Sequence, residues 1–221
     1  LQPFQPISLF ARPELMSSLQ YMLWDTACAD ALSDARLLAA MARFEGSLAQ
    51  ASVASGLVPE AAAKVIAQVA ATAQFDVEDL ATAARRSGTL TIPLVQQFTA
   101  KVAARSAEAA RYVHFGATSQ DTMDTGVALC LIPATDRLLS LSKRMGDAAA
   151  ALAKRHARTP TVSRTLLQPA VPVPFGWKAA VWLSMIARAH AGFRAVARAA
   201  SSLQLGGAGG TLSAYAGKGD A

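Results

Sequence analysis

With 221 residues, 52% of them apolar and only 16% charged, the chain can bury a sizeable core but carries a thinner charged skin than a lone monomer needs. The 21 Lys and Arg against 15 Asp and Glu leave a net charge of +6, yet no basic run occurs and the aromatics are scattered, so nucleic acid is not the expected partner. Cys28 and Cys130 stand far apart and His114, His156 and His190 lack metal-ligand spacing, which argues against disulfides and any metal and for a reducing cytoplasm.

Helical periodicity runs along the chain from Ser33, which is placed to cap a helix. Its apolar positions Leu37, Met41, Phe44, Leu48 and Ala51 step by three or four until Gly56 ends it. Pro59 falls in the first turn of a second helix, continued by Ala63, Ile66 and Ala70. A third opens at Asp76, with Glu78 and Asp79 near its positive end, and closes on Arg85, Arg86 and Gly88. A fourth is predicted from near Pro93 to about Ala110.

After a break at residues 114–116 comes a long helix. Val127, Leu131, Ala134, Leu138, Leu141, Met145, Ala149 and Leu152 hold one face, with Pro133 as its expected kink. A second long helix is predicted from about Pro174 to Ala200. No segment longer than three or four residues alternates as a strand does, so the fold class is all-α. The longest uncharged stretch, residues 199–217, is crowded with Gly and Ser and cannot span a bilayer. Two long helices alone make a poor bundle. The chain therefore reads as incomplete: a small N-terminal helical domain over residues 1–112, then the first part of a long-helix bundle over residues 113–221.

Three stretches carry polar groups that a helical pattern does not require. In the first, residues 114–126, hydroxyls, an amide, carboxylates and an imidazole precede the long helix, where backbone N–H groups favour an anion such as a carboxylate. The plainer reading is a capping segment with Ser119 or Asp121 as the cap. In the second, residues 163–176, Arg164 can pair with a carboxylate while Thr165 and Gln168 add neutral hydrogen bonds. The alternative is a proline-stiffened connector with a solvated Arg164, and Lys178 beyond it is either a surface charge or a ligand contact. The third, residues 204–211, is glycine-rich, but no strand precedes it and no Lys-Ser/Thr follows, so it is expected to be a flexible or close-packed substrate loop. His156 at a helix end and His190 on an apolar face read as structural, and Arg12 as either surface charge or substrate anchor.

Together these stretches resemble a known pattern. His114 to Asp121, reading HFGATSQD, resembles the first conserved region of the fumarase/aspartase superfamily, and Arg164 to Gly176, RTLLQPAVPVPFG, resembles the second. Most lyases of the superfamily carry Thr-His-x-Gln there, with a catalytic His; this chain has Leu166 at that position, and an aliphatic side chain transfers no proton. The Leu-Leu variant and the QLGGAGGTLSAY loop resemble the bacterial 3-carboxymuconate cycloisomerase branch. The Gly-Ser-Ser-x-Met-Pro-x-Lys loop of the third region is absent from the chain.

The resemblance implies a cytoplasmic homotetramer without cofactor, whose active sites combine regions from different subunits, acting on a small tricarboxylate through an aci-carboxylate intermediate. It implies Ser119, His114 and Thr118 as catalytic or charge-stabilising groups, with His114 a carboxylate binder before a proton donor. Arg12, Gln120, Arg164, Thr165 and Gln168 are implied as substrate contacts. A fumarate-releasing lyase, a sulfomuconate cycloisomerase and a non-catalytic helical assembly module remain alternatives.

Overall fold

The computed structural model describes residues 25–218; Arg12 lies outside them. A short helix α1 (Thr26–Ala31) is capped by Asp25, whose carboxylate accepts the Cys28 N–H at 3.1 Å. The next helix, α2 (Asp34–Ala54), starts where expected: Ser33 Oγ accepts the Arg36 N–H at 3.4 Å. Its stripe is buried or half-buried from Leu37 to Leu48, but Ala51 is exposed and Ser52 takes the inward position. Pro59 stands just outside α3 (Glu60–Ala70) as its N-cap rather than inside its first turn. Asp76 caps α4 (Val77–Ser87) by accepting the Asp79 N–H at 3.0 Å, and Gly88 leaves it at φ 73°.

The predicted fourth helix is two. α5 (Thr91–Ala103) stops, and Ser106, with φ −157°, caps the short α6 (Ala107–Ala110) by accepting the Ala109 N–H at 3.1 Å. An alanine-rich run has no periodicity strong enough to reveal that interruption. Met41, Ala42, Ile66, Leu94, Phe98 and Val102, from α2, α3 and α5, have no exposed surface and form the centre of the core. Each large side chain there stabilises the fold by roughly 1.5–3 kcal/mol through burial.

Across this layer runs α7 (Ser119–Arg155), 37 residues long with Pro133 inside it. At about 1.5 Å per residue it extends about 55 Å. Its first half is embedded, with Thr122, Thr125, Gly126, Ala128, Cys130 and Ala134 buried; beyond Ala134 only Ala149 is. Gly126 permits the crossing with α2, because a Cβ there would lie 2.7 Å from Met41 Cγ. Gly126→Val is expected to cost about 1–3 kcal/mol by overpacking, measured as a lowered urea midpoint; an unchanged midpoint would mean that α7 shifts freely off α2.

α8 (Phe175–Ala200) returns antiparallel along the outer half of α7, with Ser142 opposite His190 and Gly146 opposite Ile186. This pair leaves much apolar surface uncovered. Of the predicted α7 face, Ala134 and Ala149 are buried and Leu131 and Leu141 half-buried, but Val127, Leu138, Met145 and Leu152 are exposed. On α8, Trp177, Trp182, Met185 and Val196 are exposed as well.

Between α7 and α8 the structure corrects the reading that no strand is present. Residues 160–174 form an antiparallel hairpin of β1 (Pro160–Thr165) and β2 (Gln168–Pro174), irregular between Val162 and Arg164. Both strands are edges, where a proline's missing N–H leaves no ladder bond unmade. Its two-residue turn is Leu166–Leu167, with φ 42° and 66°. Asn-Gly is the usual signal for such a turn and leucine is not, so composition concealed it. The fold remains dominated by helices, with a two-stranded sheet as its one departure among the described residues.

Arg137 on α7 fastens α1 by a forked contact to Asp25, at 2.8 and 3.1 Å to Oδ2 and 3.2 Å to Oδ1. The Arg137 hydrogen bond, then that from the Cys28 N–H, hold the Asp25 carboxyl down at about 2. A depressed carboxyl stabilises the fold fully above its ordinary value, 3.8, and the increment is lost as pH falls toward about 2. The stability gap between wild type and Arg137→Met is therefore expected to close over that window in urea titrations at stepped pH; a constant gap would refute the linkage. No described helix is long and apolar enough to cross a membrane.

Candidate active site

The polar break before α7 lies in turn residues 111–116. Thr118, with φ −118°, is the N-cap of α7. Neither Ser119 nor Asp121 caps the helix: Ser119 is its first residue, and Asp121 reaches back to accept the Thr118 N–H at 2.9 Å. That leaves the Ser119 side chain unused by the helix. Its carbonyl accepts from Thr91 Oγ1 at 3.0 Å, while its half-buried hydroxyl makes no hydrogen bond among the described residues.

Asp121 is 1% exposed and does more than support a cap. Its Oδ1 accepts the Gly206 N–H and its Oδ2 the Gly207 N–H, both at 2.9 Å. Gly206 and Gly207 are thus held against α7 while residues 208–211 are exposed, and these two donors are committed to a protein carboxylate. Thr125 adds a reciprocal pair with Gln204, donating to its carbonyl at 3.1 Å and accepting its N–H at 3.0 Å. The chain then turns through a 3-10 helix (Ser213–Tyr215). Tyr215 is buried against Phe44 and Leu48 and donates its hydroxyl to the Phe115 carbonyl at 3.1 Å. Gly116, at φ 72°, makes room for it, since a Cβ there would sit 2.8 Å from the Tyr215 ring. Burial first, then the charges of Asp121 and Glu45, push the Tyr215 hydroxyl above its ordinary value, so it stays a donor.

His114 adopts φ 58°, a left-handed conformation that costs a non-glycine residue about 1–2 kcal/mol. Its Nδ1 lies 2.8 Å from Oε1 of Glu45 on α2, and Thr122 Oγ1 donates to the same oxygen at 3.0 Å. Glu45 is 1% exposed and its Oε2 has no partner among the described residues.

The other predicted residues stand elsewhere. Gln120 is exposed and bonds Asp124 Oδ1 along the helix surface. Arg164, Thr165 and Gln168 are exposed around the hairpin turn, and Arg164 makes a weak 3.5 Å contact to the Leu167 carbonyl. Leu166 is 94% exposed. Lys178 donates to the Val162 carbonyl at 2.9 Å and so ties the hairpin to α8. His156 ends α7 with its Nδ1 3.2 Å from Thr159 Oγ1, and His190 is half-buried with its Nδ1 2.7 Å from Ser142 Oγ, arrangements that account for both imidazoles structurally. His114, Thr118 and Ser119 thus stand close in the chain around the start of α7, whereas Arg164, Thr165 and Gln168 follow its opposite end.

Sequence reasoning missed Glu45 and the loop-holding roles of Asp121, Thr125 and Tyr215. The signal for Glu45 was a carboxylate placed on the apolar face of α2, between Met41 and Leu48. The others act over separations of 79 to 100 residues, for which no local pattern exists.

This helical layer, crossed by one long helix with a polar turn at its start, belongs to a known class. The family described as Lyase matches residues 19–218, and the chain belongs to it, within the fumarase/aspartase superfamily. Over 198 residues it is 48% identical to a 3-carboxy-cis,cis-muconate cycloisomerase from Bradyrhizobium diazoefficiens, covering 90% of this chain and 44% of that protein. It is also 42% identical to a nitrosuccinate lyase from Streptomyces davaonensis, over 84% of this chain and 39% of that one. The crystal structure of the 3-carboxy-cis,cis-muconate lactonizing enzyme from Pseudomonas putida superposes with a TM-score of 0.84 at 38% identity, covering 88% of this chain and 44% of that chain. The chain thus spans less than half the length of these relatives.

Proposed function

We propose that the whole protein is a cycloisomerase that closes 3-carboxy-cis,cis-muconate to a carboxymuconolactone in aromatic catabolism. The observation that carries this reading is the 48% identity to a curated cycloisomerase along 90% of the chain. Leu166, where most lyases of the superfamily have a catalytic histidine, supports it. In the reaction a carboxylate oxygen of the substrate adds to its own conjugated double bond, so a C–O bond forms and the electron pair moves into an aci-carboxylate. One proton then reaches carbon, and the product is an isomer of the protonated substrate. The tethered nucleophile has a large effective concentration, so the protein's work is to hold three carboxylates, stabilise the developing charge and deliver that proton.

Thr118 and Ser119 at the start of α7 supply hydroxyl and backbone donors for a carboxylate, with His114 beside them. Arg164, Thr165 and Gln168 would contribute from a second copy, since the 37 residues of α7 lie between them and Ser119 in one chain. Gln120 and Arg12 complete the proposed contacts. A cytoplasmic homotetramer fits the exposed apolar faces of α7 and α8, which the rest of the protein and neighbouring copies would cover.

The 42% identity to a nitrosuccinate lyase favours a second reading, a lyase acting on a succinate derivative. Assays of the whole protein with 3-carboxy-cis,cis-muconate, nitrosuccinate and adenylosuccinate separate the readings. Lactone formation with the first alone is expected; turnover of either of the others without it would overturn the cycloisomerase assignment.

A further inference from the structure

We infer that Glu45 is the positioning residue for His114, holding its Nδ1 so that Nε2 is the nitrogen that meets the substrate. The inference rests on the reading of His114 as a carboxylate binder. It starts from a group which that reading leaves idle: a glutamate with 1% of its surface exposed, on a helix face otherwise made of Leu38, Met41, Phe44 and Leu48. Buried carboxylates are kept where something must be held, since an uncompensated one destabilises the fold. Here Oε1 faces His114 Nδ1 at 2.8 Å and receives the Thr122 hydroxyl at 3.0 Å, while Oε2 finds no partner among the described residues.

An ionised carboxylate only accepts, so Nδ1 carries the proton of that bond. The ring's remaining nitrogen, Nε2, then accepts when the imidazole is neutral and donates when it is doubly protonated, and it bonds no described residue. His114 keeps 21% side-chain exposure, against 0% for Glu45, so the couple is buried at one end and open at the other. Thr122 stands one turn inside α7 from Thr118 and Ser119, so one carboxylate links the core helix α2, the imidazole and the helix that opens the site. The arrangement resembles the way an outer carboxylate fixes the tautomer of a ligating histidine in other sites.

The test is a double-mutant cycle on the whole protein, reading kcat/KM for 3-carboxy-cis,cis-muconate together with the thermal midpoint. Glu45→Gln and His114→Gln are each expected to lower kcat/KM at least about tenfold, chiefly through KM, and the double variant to fall no further than His114→Gln alone. Losses that multiply, or a Glu45→Gln variant as active as wild type, would overturn positioning while leaving the role of His114 intact. An unimpaired His114→Gln variant would overturn the binder reading itself and the inference with it. If Glu45→Gln fails to fold, 15N spectra of histidine-labelled wild type decide: a His114 signal protonated at Nδ1, assigned by its loss in His114→Gln, supports the couple, and an imidazole protonated only at Nε2 overturns it.

Discussion

Asp121→Ala is expected to release the glycine-rich loop from the start of α7 and to lower stability by about 3–5 kcal/mol. The carboxylate accepts three backbone N–H groups, from Thr118, Gly206 and Gly207, and none of them has another partner among the described residues. Each donor stranded away from water costs about 1–3 kcal/mol. The total stays below the simple sum because the Gly206 N–H can regain water once the loop moves, whereas Gly207 is buried. Asp121→Asn keeps the shape but turns an NH2 group toward N–H donors, so most of the loss is expected to remain. Urea unfolding gives the magnitude, and limited proteolysis of residues 204–211 shows whether the loop is where it falls. A loss below about 1 kcal/mol would mean that Thr125 and Tyr215 hold the loop without it.

Ser119→Ala is expected to behave in the opposite way, lowering kcat of the whole protein by about 10²–10³ while moving stability by no more than about 0.5 kcal/mol. The asymmetry follows from where the helix finds its cap. Thr118 and Asp121 satisfy the start of α7, so the Ser119 hydroxyl makes no hydrogen bond among the described residues and is held ready at a helix N-terminus. Removing it strands no buried donor in the free protein. What it removes is a donor for charge that develops only during the reaction. Steady-state kinetics beside a urea titration separate the two effects; near-normal turnover by a folded variant would strike Ser119 from the machinery.

Parts of the site were legible and parts were not, for reasons that differ residue by residue. HFGATSQD stood out because polar side chains crowd a helix start that needs only one or two of them. The helix boundaries at Ser33, Asp76 and Gly88 were equally plain, since capping side chains and a left-handed glycine act within three residues of the bonds they make. The hairpin was hidden because Pro169, Pro172 and Pro174 argue against strands, and Leu166–Leu167 carries none of the usual turn chemistry. Glu45 was concealed by its own helix, where the apolar stripe around it was strong enough to be read through.

By itself the sequence determined the helical class, the caps at Ser33, Asp76 and Gly88, the family and the polar turn that opens α7, because each rests on residues close in the chain or on a short motif. Only the tertiary structure decided that Asp121 clasps Gly206 and Gly207, that Glu45 faces His114, and that Arg164 stands at the far end of α7 from Ser119. The reason is physical: a hydrogen bond between residues 69 or 86 positions apart depends on how whole helices pack, and nothing in the neighbouring residues records the partner.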